Sequence, residues 1–129
     1  APEKIENIYV QSPFIQQVWV HGDSLESTLV AIVIPDPIYT QKYAEETLGL
    51  AGSIEELCKN ADLVKAIFDD LTSIGKARGL RGFEAVKKIT LDVEPFSIEN
   101  GLITPTFKIK RHEMKKQYAA EIKTMYGQQ

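Results

Sequence analysis

Seven residues constrain this chain more than any others: Thr28-Leu29-Val30-Ala31-Ile32-Val33-Ile34, stopped by Pro35-Asp36-Pro37. The run is almost wholly apolar and rich in β-branched side chains, so it reads as a strand. It lacks the polar/apolar alternation of a half-exposed strand, so both of its faces must be covered. Layers on either side of a sheet are therefore required. Phe14 to His21 lies just upstream, with Val18 and Val20 alternating against Trp19, and Gly22-Asp23-Ser24 supplies a turn between the two. These two strands are close enough in sequence to form an antiparallel hairpin. A third strand is expected over Val86 to Val93, where Ile89, Leu91 and Val93 alternate with charged or polar neighbours and leave one face wet.

The covering layers are read from helical spacing. Pro2 and Glu3 suit a first helical turn, Ile5, Ile8 and Tyr9 fall on one face, and Ser12-Pro13 ends that helix. Residues 38–48 form a helix with Tyr39, Tyr43 and Leu48 as its apolar contacts, closed by Gly49. Ser53 and Glu56 have capping-box spacing ahead of a short helix through Lys59. Asn60 or Asp62 then caps a longer helix carrying Leu63, Ile67, Leu71 and Ile74, widened by Val64 and Phe68. Gly75 and Gly79 loosen its end. Met114, Tyr118, Ile122 and Met125 keep helical spacing from Arg111 onward. The expectation is an α+β domain: a small three-stranded sheet, begun by the N-terminal hairpin and flanked by helices.

At 129 residues the chain makes one domain, spanning 1–129, with room for a single core. Net charge is −3, divided between −6 over residues 1–60 and +3 over 61–129, so an anionic ligand would meet the second half. A nucleic-acid binder calls for a stronger basic excess, which disfavours that role. The single Cys58 excludes an intrachain disulfide, fits a reducing compartment and reads as a small buried residue. No apolar run is long enough to span a bilayer. The abrupt start at Ala1-Pro2-Glu3, without Met, reads as a piece of something longer.

Catalytic signatures are few. His21 and His112 lack Cys or His partners at ligand spacing, and no glycine run precedes a Lys-Ser or Lys-Thr pair. What stands out is Asn100-Gly101-Leu102-Ile103-Thr104-Pro105-Thr106-Phe107-Lys108, an exposed loop by its Asn-Gly and Thr-Pro pairs, leading into the basic run Lys108, Lys110, Arg111, Lys115, Lys116. Solvated charge is the plain reading of that run. Phosphate binding, or attraction of a stand-alone module to an anionic membrane surface through the loop and last helix, are the functional ones.

The whole chain resembles the C-terminal domain of eukaryotic-type long-chain acyl-CoA synthetases, within the adenylate-forming superfamily. The resemblance rests on Ala1-Pro2-Glu3-Lys4-Ile5-Glu6-Asn7-Ile8-Tyr9, which looks like the segment after an interdomain hinge. Val18 to Ser24 and Val30 to Asp36 look like the family's first strands, and Leu80-Arg81-Gly82-Phe83-Glu84 and Glu94 to Lys108 like its last strand and catalytic loop. It implies an AMP-forming ligase: a fatty acid carboxylate attacks the α-phosphate of ATP, with Mg²⁺ present, and the CoA thiol then displaces AMP. The implied partner is an N-terminal adenylation domain holding the ATP pocket, the Mg²⁺ ligands and the fatty acid tunnel, against which this domain swings as a mobile lid. The isolated domain would then be inactive, and membrane association would come through that other part. The implied location is the cytoplasm, or the cytosolic face of the endoplasmic reticulum, mitochondrial outer membrane or peroxisome.

Matched residue by residue, the family's adenylation lysine falls on Lys108, with Thr104, Pro105, Thr106 and Phe107 shaping the loop. Many superfamily members carry Ser-Gly where this chain has Thr106-Phe107, a departure that the long-chain branch shares. Lys110, Arg111 and His112 become candidates for CoA phosphate contact or interdomain salt bridges. Glu3 and Lys4, beside the hinge, are candidates for the domain interface, and Lys87 and Lys88 are weaker ones.

Overall fold

The computed structural model describes residues 2–23 and 25–127. Ser24, part of the expected hairpin turn, and Ala1 lie outside the described residues. In order come helix α1 (Pro2–Tyr9), strands β1 (Ile15–Gly22) and β2 (Leu29–Pro35), helices α2 (Pro37–Leu48), α3 (Ile54–Leu57) and α4 (Ala61–Ala77), strand β3 (Val86–Leu91), and helices α5 (Arg111–Gln117) and α6 (Ala119–Met125). A 3₁₀ turn, Gly82–Glu84, precedes β3.

The sheet order is β1-β2-β3, with β2 in the centre. β1 pairs antiparallel to β2, Val20 opposite Ala31 and Trp19 opposite Ile32. β3 joins the other edge in parallel, which is why the chain needs the long helical excursion between β2 and β3. The central strand is covered on both faces, as its unbroken apolar run demands. One core takes Val18, Val20, Ala31 and Val33 from the sheet together with Ile5 and Tyr9 of α1 and Leu63, Ile67 and Leu71 of α4. The other takes Trp19, Val30, Ile32 and Ile34 together with Phe96, Leu102, Met114, Tyr118 and Ile122. Trp19 is therefore a core residue on the face opposite its valine neighbours.

Local chemistry explains the element boundaries. Asp36 caps α2 by accepting from the Tyr39 amide, with Pro37 in the first turn and Gly49 left-handed at the end (φ 66°). Ser53 and Glu56 form the capping box of α3. Asn60, not Asp62, caps α4, its side-chain oxygen accepting from the amides of Asp62 and Leu63. At the other end of α4, the Leu80 and Gly79 amides return to the carbonyls of Gly75 and Lys76 around a left-handed Gly79 (φ 82°), a Schellman closure.

Four expectations are corrected. Gly75 does not loosen α4, which runs on to Ala77. It is buried, and an added Cβ would lie 3.1 Å from Leu80 and 3.7 Å from Tyr9, so glycine there permits close packing. Helix α2 packs Tyr43 and Leu48 against the first core as expected, but its fully buried residues are Thr40 and Ala44, and Tyr39 stays exposed with its ring edge-on to Phe14. β3 stops at Leu91, although the Asp92 amide still bonds to the Val33 carbonyl at 2.9 Å. The closing helix is two consecutive helices meeting at Tyr118, whose backbone relaxes to φ −108°. The bonds Tyr118 N to Met114 O and Ile122 N to Tyr118 O still hold them on one apolar face.

Candidate functional site

The segment from Glu94 to Lys110 carries no helix or named strand, yet its backbone bonding is dense. Gln17 on β1 grips its start: the side-chain amide donates to the Phe96 carbonyl at 3.0 Å, and its oxygen accepts from the Phe96 amide at 2.7 Å. Phe96 is thereby held in the core against Tyr118. Asn100 forms the next bend, accepting from the Ser97 and Leu102 amides and donating to the Pro95 carbonyl, while Gly101 turns left-handed at φ 79°.

From there the chain folds into a miniature hairpin. Ile103 and Ile109 face each other as an antiparallel bridge. The Thr104 amide donates to the Lys108 carbonyl, the Phe107 amide to the Thr104 carbonyl, and the Lys110 amide to the Leu102 carbonyl, each at 2.8 Å. The Thr104 hydroxyl oxygen accepts from the Lys108 amide and lies 3.1 Å from the Thr106 hydroxyl. Thr104, Pro105 and Thr106 thus make the turn, with proline where its fixed φ suits a tight bend. Phe107 follows with φ 62°, a left-handed value taken by no other non-glycine residue among those described. The loop former expected from sequence is a clasped hairpin whose tip delivers Lys108.

Lys108 is exposed, and its ammonium lies 3.3 Å from the Glu3 carboxylate on α1, which is itself exposed. Such a pair is weakly held and screened by salt, so the lysine is available to a stronger anion. Arg111 is placed differently. Its guanidinium makes a two-pronged bond to Glu6 (2.9 and 2.8 Å), and Glu6 Oε2 also accepts from the buried Val20 amide at 2.7 Å. Glu6 is 6% exposed. The bond to Glu6 pushes the Arg111 guanidinium pKa still higher than usual, against a smaller opposing effect of burial. One carboxylate thus ties the first helix, the first strand and the root of the loop together. Arg111 anchors the root of the loop to the first helix.

The other expected residues are scattered. Lys4 approaches Glu84 at 3.8 Å on the surface. Lys110 and His112 are exposed, with Lys110 at the start of α5 and His112 in its first turn. Lys87 and Lys88 lie on β3, away from the loop, beside Val64 and Phe68 of α4. Lys116 pairs with Glu113 at 3.7 Å. Three of the five basic residues in the run are therefore matched by carboxylates, so the run is not an undivided cationic face. His21 is the penultimate residue of β1, its ring 5.0 Å from that of Trp19, and burial, aided by Lys115, lowers its pKa. Burial raises the Cys58 thiol to about 11.

A cleft of about 390 Å³ lies between α1, β1 and the hairpin, with Glu3, Asn7, Gln17, Phe107, Lys108 and Arg111 on its walls. Among the described residues no three His, Cys, Asp or Glu side chains gather as a metal site. The Mg²⁺ that the resemblance implies finds no such cluster among the described residues. No helix among the described residues is long and apolar enough to cross a membrane.

Sequence reasoning missed Glu6, Gln17 and the bonding role of Asn100. A signal for Glu6 existed: a carboxylate set between Ile5 and Ile8 on the buried arc of a helix needs a cation. Gln17 carried none, since a polar residue in a strand reads as solvent-facing.

This clasped hairpin on a three-stranded mixed sheet can be set beside known proteins. The family model described as AMP-binding enzyme C-terminal domain matches residues 4–88. The chain belongs to that family. It is 52% identical over 126 residues to long-chain-fatty-acid–CoA ligase 5 of Rattus norvegicus, and 51% identical over 127 residues to long-chain-fatty-acid–CoA ligase 1 of Homo sapiens. Each match covers 98% of this chain but 18% of the relative, so the chain spans under a fifth of the length of these proteins. Among solved structures, the A domain of carboxylic acid reductase from Segniliparus rugosus, in complex with AMP and a co-purified carboxylic acid, superposes with a TM-score of 0.80 at 28% identity. That match covers 98% of this chain and 18% of that one. The sheet with its flanking helices is thus the C-terminal domain fold of adenylate-forming enzymes. The family model ends at Lys88, so the hairpin with Lys108 lies outside it and inside the match to the ligases.

Proposed function

We propose that this domain is the mobile C-terminal part of an AMP-forming long-chain fatty acid–CoA ligase, working against an N-terminal adenylation domain. One observation carries the reading: a lysine presented by a hairpin held by three backbone hydrogen bonds and a fourth from the Lys108 amide to the Thr104 hydroxyl, its ammonium countered among the described residues by an exposed carboxylate. The ligases that the chain resembles over nearly all its length support the substrate class.

The chemistry asks for such a lysine. In the first half-reaction a carboxylate oxygen attacks the α-phosphorus of ATP and the bond to the β-phosphate breaks, releasing pyrophosphate. Two anions must meet, and charge gathers on the phosphoryl oxygens in the transition state. A compact ammonium on a fixed stem, reaching both partners, positions them and offsets that charge. The hairpin keeps the backbone of Lys108 in place, so little reorganisation is needed at the moment of reaction. In the second half-reaction the CoA sulfur attacks the acyl carbon and AMP leaves with the bonding electrons. The charge in this step gathers on the acyl oxygen and on the departing AMP and no longer on a pentavalent phosphorus with its pyrophosphate, so the contact that the lysine makes for the first step is not the one that the second requires. The acyl-CoA product and the location at a cytosolic membrane face belong to this same reading.

The test is Lys108→Ala in the full-length enzyme. Loss of one preorganised charge contact lowers pyrophosphate release with palmitate by roughly a hundredfold. Thioester formation from supplied acyl-adenylate should change little. Equal loss in both half-reactions overturns the assignment.

A further inference from the structure

From Phe107 we infer an aromatic anchor, which docks into an apolar recess of the adenylation domain when Lys108 is delivered. This rests on the lid reading above and adds a residue to it. Three observations converge on the ring. Phe107 is 78% exposed, among the largest apolar exposures in the described residues. Its backbone sits at φ 62°, in the slot after a tight hairpin turn where glycine is the usual occupant because a Cβ crowds the carbonyl there. It is also the immediate neighbour of Lys108, so a surface that receives the lysine must receive or exclude the ring.

A strained residue persists where its surroundings determine it, and here they do. The Phe107 amide is bonded to the Thr104 carbonyl, and the flanking amides of Thr104 and Lys108 are bonded across the turn. The turn therefore holds the phenyl group in water in an unfavourable backbone state, although glycine would relieve both costs. Strain of this kind is the mark of a site whose benefit comes elsewhere. The occupant that can bury the ring is the adenylation domain, since over four-fifths of each related ligase lies outside the region this chain matches. Buried central aromatics are what typically dominate such contacts. Ring burial would bias the lid toward the state in which the lysine is engaged, making Phe107 a positioning residue for adenylation.

Full-length Phe107→Gly, Phe107→Leu and Lys108→Ala enzymes separate the possibilities. Burying a phenyl ring corresponds to about a ten- to hundredfold shift of the docking equilibrium. Phe107→Gly should therefore lower kcat/KM for pyrophosphate release by that factor and leave thioester formation from acyl-adenylate near wild type. Phe107→Leu should restore most of the loss. The melting temperature of the 129-residue chain should stay unchanged or rise by a few degrees with glycine, because strain is relieved. Adenylation by Phe107→Gly at the wild-type rate, equal loss in both half-reactions, no rescue by leucine, or a marked fall in melting temperature each overturns the inference. If Lys108→Ala is impaired while Phe107→Gly is not, the anchor fails and the lid reading stands. If neither is impaired, both fail.

Discussion

Replacing Glu6 by alanine tests the claim that one carboxylate anchors the root of the loop. The side chain is 6% exposed and accepts three hydrogen bonds, two from Arg111 at 2.8 and 2.9 Å and one from the Val20 amide at 2.7 Å. Breaking a buried ion pair by removing one partner costs about 3–5 kcal/mol. The Arg111 side chain is 40% exposed, however, so its guanidinium can turn to water and recover part of that. The Val20 amide cannot, and an orphaned buried N–H costs about 1–3 kcal/mol. Together these place the loss at about 3 kcal/mol, or a melting temperature lower by about 12 °C for a domain of this size. Glu6→Gln keeps an oxygen for Val20 and loses the charge, so about 1–2 kcal/mol is expected. Urea denaturation of the three proteins, with Arg111→Ala and the double variant to complete a cycle, gives the coupling directly. A cost below about 1 kcal/mol for Glu6→Ala, or additive single effects, would refute the reasoning.

Two further outcomes follow from the geometry. The Cys58 thiol, pushed up to about 11 by burial, should react slowly with iodoacetamide at pH 8, at a rate rising about tenfold per pH unit toward pH 10. Because the folded pKa is the higher one, its contribution to stability is whole below pH 9 and is lost as pH rises through 11; Cys58→Ala should flatten that decline in urea midpoints. Asn100→Ala removes the bonds to Ser97, Leu102 and Pro95 on an exposed bend, so about 1 kcal/mol of stability should go. Amide exchange should speed up from Ser97 to Leu102 while β2 keeps its protection.

Elements whose determinants are local were legible in the sequence. The β2 run, the hairpin, and the caps at Ser53 and Gly49 all follow from a few adjacent side chains. What escaped depends on partners distant in the chain. Thr40 and Ala44 are too small to register as an apolar stripe, yet they form the buried side of α2. Gly75 looks like a helix breaker until Tyr9 and Leu80 are seen against it. In the candidate site, residue pattern alone gave a basic exposed loop, and resemblance narrowed it to Lys108. The segment that leads to the lysine is gripped at Phe96 by two hydrogen bonds with Gln17, some eighty positions earlier, which no spacing rule exposes.

The parallel pairing of β3 with β2 also dictates an order of assembly. Partners in the β1–β2 ladder are as close as Gly22 and Leu29, whereas Leu29 meets Val86 and Val33 meets Leu91, more than fifty positions on. Closing so large a loop is entropically slow, so the hairpin can form early and the third strand must wait for the helical excursion. The hairpin bearing Lys108 sits downstream of that late step and rests on the second core. Ribosomal synthesis therefore supplies the elements of the layer that binds α4 before the segment that carries Lys108, and that hairpin emerges together with the helices α5 and α6 that complete the second core.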